Sequence, residues 1–346
     1  MQPPFEVGAQ DAMIIIHRLE PRRDTAGKAT TLVQHQINMG EKIPVDAVWI
    51  DLFEPTRDEE RAAEEVADIS LPTPEEMDEI EPSELLYTDD GARFMTARVL
   101  CLAKTHRPKI ANISFIRKAN TLITVRYDDP KPFQSFAARA QRAGLAGKDA
   151  EAVFVGLVDA IVGRAGEILR SAGDTIDSLS DSIFELAAHK GRPMTSEYQQ
   201  TLASLGREGS RISKARESLV SIELMLRYAC PPSTRGDEES EPPGHIGTML
   251  RDITSLETHT EYLLGKVQFL LDTILGLVNL SQNDIIKILS VITVVFTPPT
   301  FFASMYGMNF KNIPEYDWTY GYQYALVLML LTAILPYLFF RWKKWL

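Results

Sequence analysis

The chain has 346 residues, 45% of them hydrophobic, and a formal net charge of −11, enough for about two domains with a substantial core. The acidic balance argues against a nucleic-acid partner, whose phosphates require a basic face. Two cysteines, Cys101 and Cys230, build no disulfide framework and suit a reducing compartment. The opening Met1-Gln2-Pro3-Pro4-Phe5-Glu6 has neither the basic nor the apolar stretch of a secretory signal.

Short or alternating apolar runs predict strands at 13–17, 47–52, 93–102, 110–116 and 121–127, with turn signals at Asp89-Asp90-Gly91 and Lys118-Ala119-Asn120. An acidic helical segment separates the second strand from the third. Residues 1–131 therefore read as an α+β domain. From 132 the period is helical, with a break at Gly191-Arg192-Pro193, and an acidic, proline-dense loop closes the region at 243.

A long stalk helix is expected from 244 to 306, with no proline before Pro298. Ile246, Met249, Ile253, Leu256, Thr260, Leu263, Val267, Leu270, Ile274 and Leu277 alternate in steps of three and four along it, a coiled-coil seam. Such a helix would be about 90 Å long. The seam fits either packing against the helices of 136–229 or self-association of the stalk, and the two are compatible.

Residues 288–306 and 321–340 run without a charge, each about as long as the roughly 20 residues that cross a bilayer. The first span is placed at about 285–306 and the second at 321–341, joined by the loop 307–320 and followed by a basic tail, 342–346. Arg341, Lys343 and Lys344 follow the second span, whereas the loop offers Lys311 against Glu315 and Asp317. The positive-inside rule places both termini in the cytoplasm, with Lys343 and Lys344 as membrane anchors.

Ser290, Thr293, Thr297, Thr300 and Ser304 recur at alternating steps of three and four along the first span. Small hydroxyls in membranes serve as packing glue or line a wet path. Five in register, extended inward by Asn283, favour lining. Two spans cannot enclose water, so a path needs copies of the chain around an axis. Ile286 and Leu289, below the hydroxyls on the same face, suit a ring that gates by dewetting. Pro298 and Pro299 free backbone carbonyls in the outer half. Gly307, Met308 and Asn309 would form the outer mouth, where a neutral amide oxygen per copy suits a hydrated cation that must be held and released. Mg²⁺ keeps its waters and fits that description.

Residues 51–90 hold 16 Asp/Glu and two Arg. They read either as a solvated face or as a divalent-ion sensor whose carboxylates repel until metal bridges them. Six histidines show no zincin spacing, and Gly27-Lys28 lacks the first glycine and the hydroxyl of a P-loop, so an ATPase is not expected. No nucleophile–base pair or organic cofactor is implied.

Asn283-Asp284-Ile285-Ile286-Lys287-Ile288, Val295-Phe296-Thr297-Pro298-Pro299-Thr300, Tyr306-Gly307-Met308-Asn309-Phe310, Ile313-Pro314-Glu315 and Lys343-Lys344-Trp345-Leu346 resemble the CorA magnesium transport family in its proteobacterial form. Trp49-Ile50-Asp51-Leu52 and Leu71-Pro72-Thr73-Pro74-Glu75-Glu76-Met77 resemble its N-terminal domain. The resemblance implies a homopentameric, funnel-shaped inner-membrane channel with a central pore from the first span and an outward Gly-Met-Asn filter. By position it puts pore-lining places on Asn283, Ile286, Leu289, Thr293, Thr297, Thr300 and Asn309. It also implies regulatory Mg²⁺ between subunits of the cytoplasmic domain, where Asp252 loosely resembles one such position; Asp89 and Asp90, at the end of the acidic run, are the other candidates. Thr297 departs from the bulky apolar residue of many relatives, and Lys311-Asn312 stands where an acid is common. Met308 favours the magnesium branch over zinc transporters, with Co²⁺, Ni²⁺ and Zn²⁺ as alternative cargo. A non-conducting membrane metal sensor is the alternative of another class.

Overall fold

This computed structural model describes residues 13–21, 30–37, 43–44, 46–101, 108–143, 149–188, 195–230, 244–308 and 318–343. Seven strands form one mixed sheet: β1 (Met13–Pro21), β2 (Thr30–Ile37), β3 (Trp49–Phe53), β4 (Leu86–Asp89), β5 (Ala92–Cys101), β6 (Lys109–Lys118) and β7 (Thr121–Arg126). Their order is β2-β1-β3-β7-β6-β5-β4. The β3–β7 pair is parallel and the others are antiparallel. All five strands expected from the sequence form, and β2 and β4 add the two edges. At the β4–β5 hairpin Asp90 and Gly91 take φ of 44° and 73°, as a two-residue turn of this hand demands.

Strand alternation sends residues to two different helical layers. Ile50, Leu52, Phe94, Ile116, Ile123 and Val125 pack with Ala63 of α1 (Arg57–Ala67) and with Ile69, Leu71 and Met77. On the other face Trp49 and Phe115 meet Phe133 and Phe136 of α4 (Lys131–Ala143) and Phe154 of α5 (Ala150–Ala188). The result is an α/β/α sandwich. Beyond the reach of β4, the outer edge of β5 is closed by α6 (Thr195–Ala229): the backbone N–H of Arg98 donates to Ser221 Oγ at 2.9 Å and that of Leu100 to Ser218 Oγ at 3.3 Å. Hydroxyls on a helix thus satisfy an edge that would otherwise seek another strand.

The acidic segment contains α1, α2 (Pro74–Met77) and α3 (Pro82–Leu85). Part of its charge is structural. Glu59 and Glu76 complete capping boxes with Thr56 and Thr73. Glu64 Oε1 accepts the Leu71 N–H at 2.8 Å. Asp51 is buried and paired with Arg126 at 2.9 Å.

The helical region expected as 132–229 is three helices, since α4 ends at Ala143 and α5 begins at Ala150. The expected break at 191–193 lies outside the described residues. The stalk helix, α7 (Gly244–Tyr306), is continuous through Pro298 and Pro299. Its seam is consumed within the chain: Ile253, Thr260, Leu270 and Ile274 have no exposed surface. Glycines let it approach. A Cβ placed on Gly166 or Gly173 of α5 would lie 3.6 Å from Leu256 or Leu263, and one on Gly209 of α6 3.6 Å from Val267. The chain divides into two compact units, Met1–Ser182 with Gln200–Gln268, and Ile183–Gln199 with Phe269–Leu346.

Candidate ion pathway

The second unit contains the outer part of α7 and α8 (Gly321–Trp342). Both are apolar enough to cross a membrane, with mean hydropathy of 1.8 and 1.9 over their best windows, and both are almost wholly exposed in the single chain. Water would not tolerate that much bare apolar surface; a bilayer would.

Each span has one face covered by the rest of the chain. On α7 it comprises Val291, which is 4% exposed, and the half-buried Val295, Pro298, Phe302 and Tyr306. On α8 the half-buried line is Gly321, Ala325, Leu328, Thr332 and Pro336, in which Gly321, Ala325 and Thr332 are small enough to permit close helix approach. Ser290, Thr293, Thr297, Thr300 and Ser304 lie on the opposite, exposed side of α7, together with Asn283, Ile286 and Leu289. Ile286 and Leu289 are 61% and 62% exposed. The hydroxyls therefore do not join the two spans of one chain.

The threonine protons are already committed. Thr293 Oγ1 donates to the Leu289 carbonyl at 2.9 Å, Thr297 Oγ1 to the Thr293 carbonyl at 2.6 Å and Thr300 Oγ1 to the Phe296 carbonyl at 2.8 Å. A hydroxyl has one donor and two lone pairs, so this face offers acceptors. At its inner end Lys287 neutralises Asp284 at 3.0 Å beside Asn283. Lys343 ends α8, its backbone N–H bonded to the Phe339 carbonyl at 3.0 Å, and its side chain is exposed. Lys344 lies outside the described residues.

Gly307 is held as a last helical turn, its N–H donating to the Ala303 carbonyl at 2.9 Å, and Met308 N–H follows to the Met305 carbonyl at 3.3 Å. The need for glycine here is a close approach: an added Cβ would stand 3.1 Å from the Ala303 oxygen, and backbone cannot yield cheaply. Gly307 also borders a cavity of about 510 Å³ lined by Ala303, Tyr306, Trp318, Tyr322 and Met329. Asn309 lies outside the described residues.

The regulatory candidates do not converge. Asp89 and Asp90 sit exposed at the β4–β5 hairpin, and Asp252 is exposed on α7. Among the described residues no group of three or more His, Cys, Asp or Glu is arranged to hold a metal within one chain. The sequence reading also passed over the buried network Trp49–Thr124–Asp51–Arg126, in which Trp49 Nε1 donates to Thr124 Oγ1 at 2.9 Å and Thr124 Oγ1 to Asp51 Oδ1 at 2.7 Å. An Asp and an Arg in otherwise apolar strands were its signal.

An α/β/α domain followed by a helix that runs on into an exposed, polar-striped apolar span, with a second span after it, defines a two-span membrane protein. The chain belongs to the family of CorA-like Mg²⁺ transporter proteins, which it matches over residues 45–344. It is 32% identical over 303 residues to the magnesium transport protein CorA of Salmonella typhimurium, covering 87% of this chain and 93% of that one. Against the protein of the same name from Haemophilus ducreyi the identity is 31% over 301 residues, with 87% and 92% covered. In fold it is similar to the complete CorA magnesium transporter of Methanocaldococcus jannaschii, with a TM-score of 0.72 at 17% identity over 96% of this chain and 99% of that one. The full-length CmaX protein shares the fold with a TM-score of 0.65 at 16% identity, over 98% and 100% of the two chains.

Proposed function

We propose that this chain is one subunit of a homo-oligomeric channel that passes hydrated Mg²⁺ into the cytoplasm. One observation carries the reading: the hydroxyl stripe of α7 is exposed and lies opposite the face that the rest of the chain covers. Placed around an axis, several such stripes form a wall of oxygen acceptors for the water protons of a hydrated cation. Asn309 and Gly307 hold the ion at the outer mouth, and Thr300, Thr297 and Thr293 pass it inward. Ile286 and Leu289 close the path by dewetting above Asn283. The membrane potential drives it, since a divalent ion gains about 4.6 kcal/mol per 100 mV, so no ATP is required.

Both termini are cytoplasmic in this reading, and Lys343 and Lys344 anchor α8 at that surface. A regulatory Mg²⁺ at Asp89, Asp90 or Asp252 would draw carboxylates from neighbouring copies, because the described residues of one chain do not assemble a metal-holding group. The test is Mg²⁺ uptake by vesicles holding the purified protein under an inside-negative potential, with Co²⁺, Ni²⁺ and Zn²⁺ in parallel. Uptake by the parent chain and its abolition by Asn309→Ala support the channel. Uptake unchanged by Asn309→Ala would refute it.

A further inference from the structure

The proposed path occupies two neighbouring heptad columns of α7. One runs through Asn283, Ser290, Thr297 and Ser304, the other through Ile286, Thr293, Thr300 and Gly307. Residues seven apart stay near one line, drifting about 20° per heptad. Continued toward the N-terminus inside the same compact unit, the first column meets Gly276 and Phe269 and the second meets Asn279 and Asp272. All four are exposed. Phe269 has 59% of its surface bare, while Leu270 and Ile274, turned roughly 100° and 140° from it round the helix, have none. A Cβ added to Gly276 would meet nothing within 4 Å, so packing within the chain does not require glycine there. The side of α7 that bears Phe269 is thus left uncovered by the rest of the chain.

We infer that the path continues below Asn283 along these columns, and that Phe269 from each copy forms an apolar ring at its cytoplasmic end, separate from the closure at Ile286 and Leu289. The inference rests on the channel reading, and the cover is a second copy of this chain. Four heptads separate Phe269 from Thr297, a drift of about 80° in a straight helix that a left-handed supercoil of the copies removes, so copies wound in that way bring the phenylalanines to the axis of the threonines. The ring closes by excluding water. When open, its negative aromatic faces tolerate a passing cation. Gly276, one heptad nearer the membrane, leaves room for the rings to swing clear. Asn279 and the carboxylate of Asp272 then lie between two apolar closures, as acceptors for an ion in its water shell.

Cysteine substitution tests this in reconstituted vesicles under an imposed potential. Phe269→Cys should conduct Mg²⁺ at least as fast as the parent. Attachment of a bulky cationic methanethiosulfonate should then cut uptake at least about tenfold. Leu202→Cys, 42% exposed on α6 and no part of α7, should lose nothing on the same treatment, nor should the parent, whose Cys101 is buried and whose Cys230 follows α6, away from both columns. Gly276→Phe, without reagent, should lower uptake by itself. Undiminished uptake by modified Phe269→Cys or by Gly276→Phe overturns the ring. A conducting parent that Asn309→Ala silences, with both of those variants unaffected, sinks the ring and leaves the channel standing. A parent that conducts nothing removes both.

Discussion

Asp51→Ala separates a structural carboxylate from the acidic run that contains it. Asp51 and Arg126 side chains are 3% and 5% exposed. Arg126 Nε reaches Oδ1 at 3.0 Å and Nη2 reaches Oδ2 at 2.9 Å, with Thr124 also donating to Oδ1. Removing the carboxylate strands a guanidinium that cannot shed its proton. Breaking a buried pair in this way costs about 3–5 kcal/mol. The lower end applies because Asp129 still receives Arg126 Nη1 at 2.8 Å. About 3 kcal/mol is a factor of roughly 150 in the opening equilibrium. Hydrogen exchange by mass spectrometry on the full chain should show protection of the β3 and β7 amides falling about 100-fold. Asp51→Leu combined with Arg126→Met should recover most of it, because an apolar pair fills the same space without a lone charge. Protection within about threefold of the parent in Asp51→Ala would refute the reasoning.

Further outcomes follow from other sites. Burial, with a smaller contribution from His35, lowers the His17 imidazole to about 3, and the neutral ring stacks on Trp49 at 4.1 Å. Its contribution to stability is present above 6.5, the ordinary value, and is lost as pH falls through about 3. His17→Phe keeps the stack, removes a buried Nδ1 that has no partner, and should flatten acid unfolding between those values when followed by tryptophan fluorescence. Gly307→Ala should reduce uptake at least about tenfold with assembly intact, since its Cβ presses on backbone; parent-level uptake contradicts the stated reason for glycine. Burial pushes the Cys101 thiol up to about 12 from 9.0, so iodoacetamide at neutral pH should label it in the unfolded chain and spare it in the folded one.

The central strands were legible because each alternates or runs apolar over enough residues to be seen locally. Edge strand β2, Thr-Thr-Leu-Val-Gln-His-Gln-Ile, is half polar and exists through its pairing with β1. β4 has four residues among acidic helices. Neither non-local pairing nor the parallel β3–β7 contact leaves a local trace. The stalk seam was read residue by residue, but periodicity reports that a stripe is buried, not against what; the glycines at 166, 173 and 209 decide it. The acidic run hid its structural share in two Thr-x-x-Glu boxes and one buried aspartate. The Gly-Met-Asn mouth was legible as a motif, whereas the reason for Gly307, an oxygen four residues back, is a matter of coordinates.

The most direct test of the account is cysteine accessibility around one turn of α7 in the lipid-embedded assembly. Cysteines at Thr293, Thr297 and Thr300 should react with a membrane-impermeant thiol reagent and block Mg²⁺ uptake once modified, while cysteines at Val291, Val295 and Phe302 should stay inert. Inert threonine positions beside a reactive Val295 face, or a protein that is monomeric in lipid, would contradict it.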